Sequence, residues 1–213
     1  MREMVHKHST LHTLAFAFAA ISLGMLLFHH PVEAKEKKVE FAIATFAGGC
    51  FWCLEPPFHD LNGVVDVVAG YSGGGKADPS YKEVTSGKTG HVESVQITYD
   101  PKKITYEKLL DTFWRQIDPT DDGGQFADRG SQYRTAILFH SEDQKKLAEI
   151  SKKKIEEAKW FDRPIRTQIL PYKNFYRAED YHQDYYKKNP EHYKMYKYGS
   201  GRETFIQRVW GKI

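Results

Sequence analysis

Apolar positions recur along this chain with two periods, and the switches between the periods mark its elements. Val39 to Ala47 is apolar enough for a strand buried on both faces, and Val64 to Ala69 reads as a second strand ended by the loop Gly70 to Gly75. His91 to Asp100, Tyr133 to His140 and Ile165 to Leu170 supply a third, fourth and fifth. A helix is expected to start at Cys50, to break or kink after one turn at Pro56-Pro57, and to finish over Phe58 to Leu61. Thr105 can cap a second helix whose Leu109, Leu110, Phe113, Trp114 and Ile117 form one apolar stripe. Ser141 with Gln144 makes a capping box opening a third helix to about Lys159. Beyond Phe175 the chain is rich in Tyr, which predicts a helix near Ala178 to Lys188 and then an irregular or partly helical tail. The segment Asp118 to Gly130 carries one Pro, three Gly and four Asp and reads as a long loop, a common place for function. Strands and helices mix without strict alternation, so the pattern predicts an α+β two-layer sandwich over a doubly wound sheet.

Strand phase singles out one acid. Residues two apart share a face, so Glu93 lies with Val95, Ile97 and Tyr99, while Ser94, Gln96 and Thr98 face the other way. A carboxyl on an apolar face is desolvated, and desolvation raises its pKa toward the range a general acid needs. The competing reading places Glu93 at the strand's start, beyond the core or paired with a Lys or Arg.

The N-terminus has the layout of a secretory leader. Arg2 and Lys7 precede an apolar stretch from Thr13 to Phe28, and Pro31-Val32-Glu33-Ala34 puts small residues where a signal peptidase reads. Residues 1–34 are therefore expected to be a cleaved signal peptide of an exported protein, periplasmic or extracellular; an uncleaved membrane anchor is the alternative. The remaining 35–213 suits one domain. The chain's 213 residues carry a formal charge of +3, and loss of the leader leaves that unchanged, a balance too mild to imply nucleic acid. Lys152-Lys153-Lys154 is the densest basic run and fits a solvated helix face.

The only two cysteines sit three residues apart in Ala47-Gly48-Gly49-Cys50-Phe51-Trp52-Cys53. If a strand ends at Ala47 and a helix begins near Cys50, the first-turn amides and the helix dipole favour a reactive thiolate. A spacing of three brings both sulfurs to one side, within disulfide reach. A buried pair, a structural disulfide and a zinc half-site compete with this. So short a closed loop would stabilise weakly, and zinc would need two further ligands that no close-spaced Cys or His pair outside the leader provides. In an oxidising compartment the pair rests as a disulfide unless a dedicated reductant supplies electrons.

Five ordered motifs now carry a resemblance: GCFWC, YSGG at Tyr71 to Gly74, PSYKEV at Pro79 to Val84, GHVESVQITYDP at Gly90 to Pro101, and DRGSQYR at Asp128 to Arg134. From Phe41 to at least Asn189 the chain resembles peptide methionine sulfoxide reductase of the A class, one of the enzymes that reverse methionine oxidation. The resemblance implies an α+β two-layer α/β sandwich, a ferredoxin-like plait with a mixed sheet, in a single domain whose tail 190–213 it informs least. It also implies Cys50 as nucleophile, Cys53 as resolving thiol and Glu93 as proton donor to the sulfoxide oxygen. Phe51 and Trp52 become walls of a pocket for the S-methyl group. Tyr81 and Tyr133 would hydrogen-bond the oxygen, and Asp128 would order the same network. No prosthetic cofactor is implied: electrons would come from a thioredoxin-like protein or a small dithiol to a monomer acting on oxidised proteins and peptides. Many members resolve with cysteines near the C-terminus, and this chain has none there. A general thiol-disulfide oxidoreductase also needs a C-x-x-C at a helix start but has no need of Glu93, Tyr81 and Tyr133. A secreted binding module with an incidental Cys pair is the third class.

Overall fold

The computed structural model describes residues 40–211, so the leader and the flexible start expected at Lys35 to Lys38 lie outside the described residues. Strand β1 (Ala42–Gly48) is central. It pairs antiparallel with β3 (Val92–Tyr99) on one side and with β6 (Thr135–Phe139) on the other. Beyond β3 lie β2 (Val64–Ser72) and β8 (Phe175–Arg177), both antiparallel; beyond β6 lies β7 (Gln168–Pro171), parallel to it. The order β7-β6-β1-β3-β2-β8 contains the antiparallel four-strand core of a plait, extended by one strand at each edge. Parallel pairing is confined to β6–β7, so the sheet is the mixed sheet of a two-layer sandwich and not a doubly wound one. The β6–β7 crossover is α4 (Glu142–Glu157), long enough to return the chain in the same direction.

One face of this sheet carries the main core. Phe46 of β1 stacks on Phe58 of α1 (Phe51–His59) at 5.6 Å and on Phe113 of α3 (Tyr106–Trp114) at 5.0 Å. Leu109, Leu110, Phe113 and Ile117 are fully buried, as the apolar stripe requires. Each such side chain contributes about 1.5–3 kcal/mol relative to exposure. The Thr105 hydroxyl accepts the Lys108 amide at 3.3 Å and caps α3. Ser141 caps α4 through the Gln144 amide at 3.2 Å. The expected box is modified, because Gln144 Oε1 accepts from His140 N at 2.9 Å and its Nε2 donates to Ile43 O at 2.7 Å, tying the helix to β1.

Three expectations change. Helix α1 runs unbroken through Pro56 and Pro57. The missing proline amides cost hydrogen bonds, but Leu54 and Phe58 on the same face are fully buried, and that packing holds the second turn in place. Strand β2 continues to Ser72 because β8 pairs with Gly70 to Ser72; a Cβ on Gly70 would come within 2.3 Å of the Phe175 ring. The helix expected over Ala178 to Lys188 is only α5 (Tyr185–Lys188), and the tail is two ordered helices, α6 (Pro190–Gly199) and α7 (Arg202–Val209). The long loop holds a two-strand ribbon, β4 (Gly124–Gln125) with β5 (Asp128–Arg129). A short helix α2 (Tyr81–Thr85) follows β2, and Ser131–Tyr133 is a 3-10 turn.

Candidate active site

Helix α1 starts where β1 stops. Gly49 makes the turn at φ +80, and a Cβ there would meet Gln125 Cβ at 2.6 Å and Arg202 Nη2 at 2.8 Å, so both the dihedral and the space demand glycine. Cys50 is the residue before the helix, with φ −57 and ψ 121, and Cys53 N closes the first turn on Cys50 O at 3.1 Å. Both thiols are free and buried. Each thiol shifts the titration of the other, so the C-x-x-C sets its two sulfurs close together.

The first-turn amides do not serve the Cys50 sulfur. Phe51 N donates to Glu93 Oε2 at 3.1 Å, placing the acid of β3 on the end of the helix that carries Cys50. Glu93 is 1% exposed, and burial pushes its carboxyl up to about 8, so it carries a proton near neutrality. The strand-phase argument holds: Val95, Ile97 and Tyr99 are buried on the same face. The resting thiolate expected at Cys50 does not follow. Burial pushes the Cys50 thiol up, and the nearby charges of Glu93 and Asp128 push the same way. Cys53 is held down by the neighbouring Cys50 thiol, with the Arg202 guanidinium adding to it.

The two tyrosines face the same space. Tyr81, at the start of α2, and Tyr133, in the 3-10 turn, lie close enough for each to shift the titration of the other. Burial pushes Tyr81 up to about 12 and Tyr133 higher still, with Glu93 and Cys50 adding to both, so each is a neutral donor. Asp128 of β5 completes the ring; its carboxyl is raised by burial and accepts the Tyr196 hydroxyl. The aromatic pair divides. Phe51 is 1% exposed and packs on His182 at 4.9 Å and Tyr71 at 6.0 Å. Trp52 is half-buried, with Tyr185 stacked on it at 3.7 Å and its Nε1 donating to His182 Nδ1 at 3.1 Å. That bond requires a neutral imidazole, and burial holds His182 down at about 4.

Tyr196 and Arg202 come from the tail 190–213 that the resemblance informs least, and His182 and Tyr185 from the Tyr-rich stretch just before it, where none of the five motifs falls. Tyr196 of α6 donates to Asp128 and lies near the Cys50 thiol, which helps push the phenol up. Arg202, 1% exposed, donates from Nη1 to Gln116 O at 2.6 Å and from Nη2 to Gly48 O at 3.1 Å, locking α7 onto the strand end beneath Cys50. The Tyr-rich composition after Phe175 was the one available signal.

The eight residues singled out by sequence therefore converge on one site. It offers a sulfur nucleophile, a neutral acid, hydroxyl donors and a second thiol one helical turn away. This set can attack an electrophilic centre bearing a basic oxygen, protonate that oxygen and close a disulfide.

A family model described as peptide methionine sulfoxide reductase matches residues 42–213. The chain is 58% identical over 170 residues to peptide methionine sulfoxide reductase MsrA of Bacillus licheniformis, spanning 80% of this chain and 94% of that one. It is 58% identical over 169 residues to MsrA of Bacillus subtilis, spanning 79% and 96%. Among solved structures, Mxr1 of Saccharomyces cerevisiae in reduced form superposes with a TM-score of 0.66 at 40% identity, over 72% of this chain and 88% of that one. Methionine sulfoxide reductase A of Corynebacterium diphtheriae gives 0.63 at 33%, over 70% and 76%.

Proposed function

The chain belongs to the peptide methionine sulfoxide reductase family, oxidoreductases that return methionine sulfoxide to methionine, and we propose that it acts on the S epimer with Cys50 as nucleophile. The observation that carries these roles is the buried, protonated Glu93 bonded to the first amide of the Cys50 helix. The Cys50 sulfur attacks the sulfoxide sulfur while Glu93 gives its proton to the oxygen, with Tyr81 and Tyr133 donating to it. The protonated oxygen then passes as hydroxyl from the substrate sulfur to the Cys50 sulfur, the S–O bond and the transient S–S bond both break, methionine leaves, and Cys50 carries a sulfenic acid; the proton lost from the thiol restores Glu93. Cys53 then displaces hydroxide from that sulfur as water, forming a Cys50–Cys53 disulfide that a thioredoxin-like protein or small dithiol reduces. A general disulfide exchanger has no use for the acid and paired tyrosines. Turnover of the separated sulfoxide epimers with dithiothreitol tests the reading: reduction of the S epimer alone supports it, and equal rates on both contradict it.

For location, we propose that residues 1–34 are a leader cut after Ala34, releasing the enzyme outside the cytoplasmic membrane, where exposed methionines meet oxidants. Among the described residues no helix is long and apolar enough to cross a membrane. Mass spectrometry of the natural N-terminus checks this, and intact Met1 in a membrane fraction would establish the anchor instead.

A further inference from the structure

Glu55 lies on α1 two residues past Cys53 and is 1% exposed, yet the chemistry above does not use it. Its Oε1 accepts the Asp184 amide at 2.9 Å, while Oε2 is buried without a partner. A carboxyl buried so incompletely satisfied is costly, so its single strong bond identifies what it does for the fold. Asp184 sits in the left-handed region at φ 51, a conformation uncommon for a non-glycine residue though more accessible to Asp than to most. The chain on either side of that residue carries His182 and Tyr185. These two fix Trp52, one by the 3.1 Å hydrogen bond to its indole and the other by a parallel ring 3.7 Å away.

We propose that Glu55 is a positioning residue for substrate binding: through the Asp184 amide it anchors the turn whose His182 and Tyr185 hold Trp52 in place as a pocket wall. The proposal rests on the reading above in which Trp52 lines the S-methyl pocket. Glu55 and Trp52 lie on one helix, so the anchor and the wall it sets are parts of one rigid element, and the turn is clamped to that element at both ends. The Asp184 side chain is engaged separately, by Lys187 Nζ at 2.8 Å; His59 Nε2 lies 3.5 Å from that carboxylate and 4.0 Å from Glu55 Oε1, hydrogen-bonded to neither. That leaves the buried amide-to-carboxyl bond as the link that a substitution at Glu55 breaks.

Two variants separate the link from bulk packing. Glu55→Gln keeps an acceptor for the Asp184 amide, whereas Glu55→Leu keeps the volume and removes it. The first readout is the Trp52 indole N–H resonance in the nitrogen-proton NMR spectrum, assigned by its loss in Trp52→Phe. It should stay in place in Glu55→Gln and move toward the solvent-exposed position in Glu55→Leu. The second is steady-state kinetics with the S epimer: losing one buried hydrogen bond should raise KM about tenfold in Glu55→Leu and change kcat far less, with KM within about twofold of the parent in Glu55→Gln. An unmoved indole resonance and unchanged KM in folded Glu55→Leu overturn the proposal. Should Glu55→Leu not fold, hydrogen exchange in the parent protein decides: strong protection of the Asp184 amide supports the anchor, and exchange as fast as in exposed turns overturns it. A parent that leaves the S epimer untouched removes the functional reading, while the indole and exchange results still report on the anchor itself.

Discussion

Glu93 accepts the Phe51 amide at 3.1 Å, so the acid and the nucleophile are set by one helix end. Folding holds this carboxyl in its protonated form: its value is raised from 4.5 to about 8 by burial. Folding thus takes up a proton there. The stability associated with the neutral carboxyl is full below the ordinary carboxylate value and is lost as pH rises toward about 8.

Glu93→Gln keeps an acceptor for Phe51 but cannot ionise, so it should be the more stable protein at neutral pH, by an amount of the order of 3 kcal/mol, and should match the parent near pH 4. Its sulfoxide reduction should be slower by about two to four orders of magnitude, the range for a positioned acid, with the defect easing as pH falls and solvent protonates the oxygen. Denaturant melts and single-turnover rates across the same pH range check both. A Glu93 with a structural role alone would give a weaker protein and no pH-dependent chemical defect.

Tyr196 ties α6 to the site through Asp128, beside the Cys50 thiol. Tyr196→Phe removes one donor to a half-buried carboxyl and should destabilise the fold by about 1.5–3 kcal/mol, the range for a hydrogen bond to a charged group. The hydroxyl holds the Asp128 carboxyl down, against the burial that raises it, so the variant's Asp128 should titrate higher than in the parent. Chemical denaturation and carbon NMR of the Asp128 carboxyl test these two effects separately.

Gly49→Ala places a methyl 2.6 Å from Gln125 Cβ in a residue at φ +80. Overpacking and dihedral strain together should cost about 2–5 kcal/mol, and the displaced loop should lower activity more than the stability loss alone accounts for. Thermal melts beside kcat/KM at a temperature where the variant is folded measure both.

The core elements were legible because each solves a local problem. β3 alternates buried and partly exposed residues from Val95 to Tyr99, α3 has a capped apolar stripe, and the glycine pair before Cys50 permits a sharp turn. Glu93 was legible for the same reason, since strand phase alone puts it among Val95, Ile97 and Tyr99. What escaped depends on long-range packing. Pro56 and Pro57 argue locally for a break, and only burial of Leu54 and Phe58 against the sheet overrides them. Arg202 reaches Gly48, which is 154 residues away in sequence, so no local pattern marks it as a support of the site. The high pKa of Cys50 escaped too, because a helix N-terminus favours a thiolate only if its amides are free, and Phe51 N is already given to Glu93.

The division of labour between Cys50 and Cys53 is the centre of the account, and one experiment reaches it. Cys53→Ser protein, mixed in single turnover with S-epimer methionine sulfoxide and no reductant, should release about one methionine per enzyme and leave one added oxygen on Cys50, trapped by a sulfenic-acid reagent and located by mass spectrometry. Cys50→Ser should release none. Methionine formation by Cys50→Ser, or a Cys53→Ser enzyme that turns over fully with a thioredoxin-like reductant, would contradict the assignment.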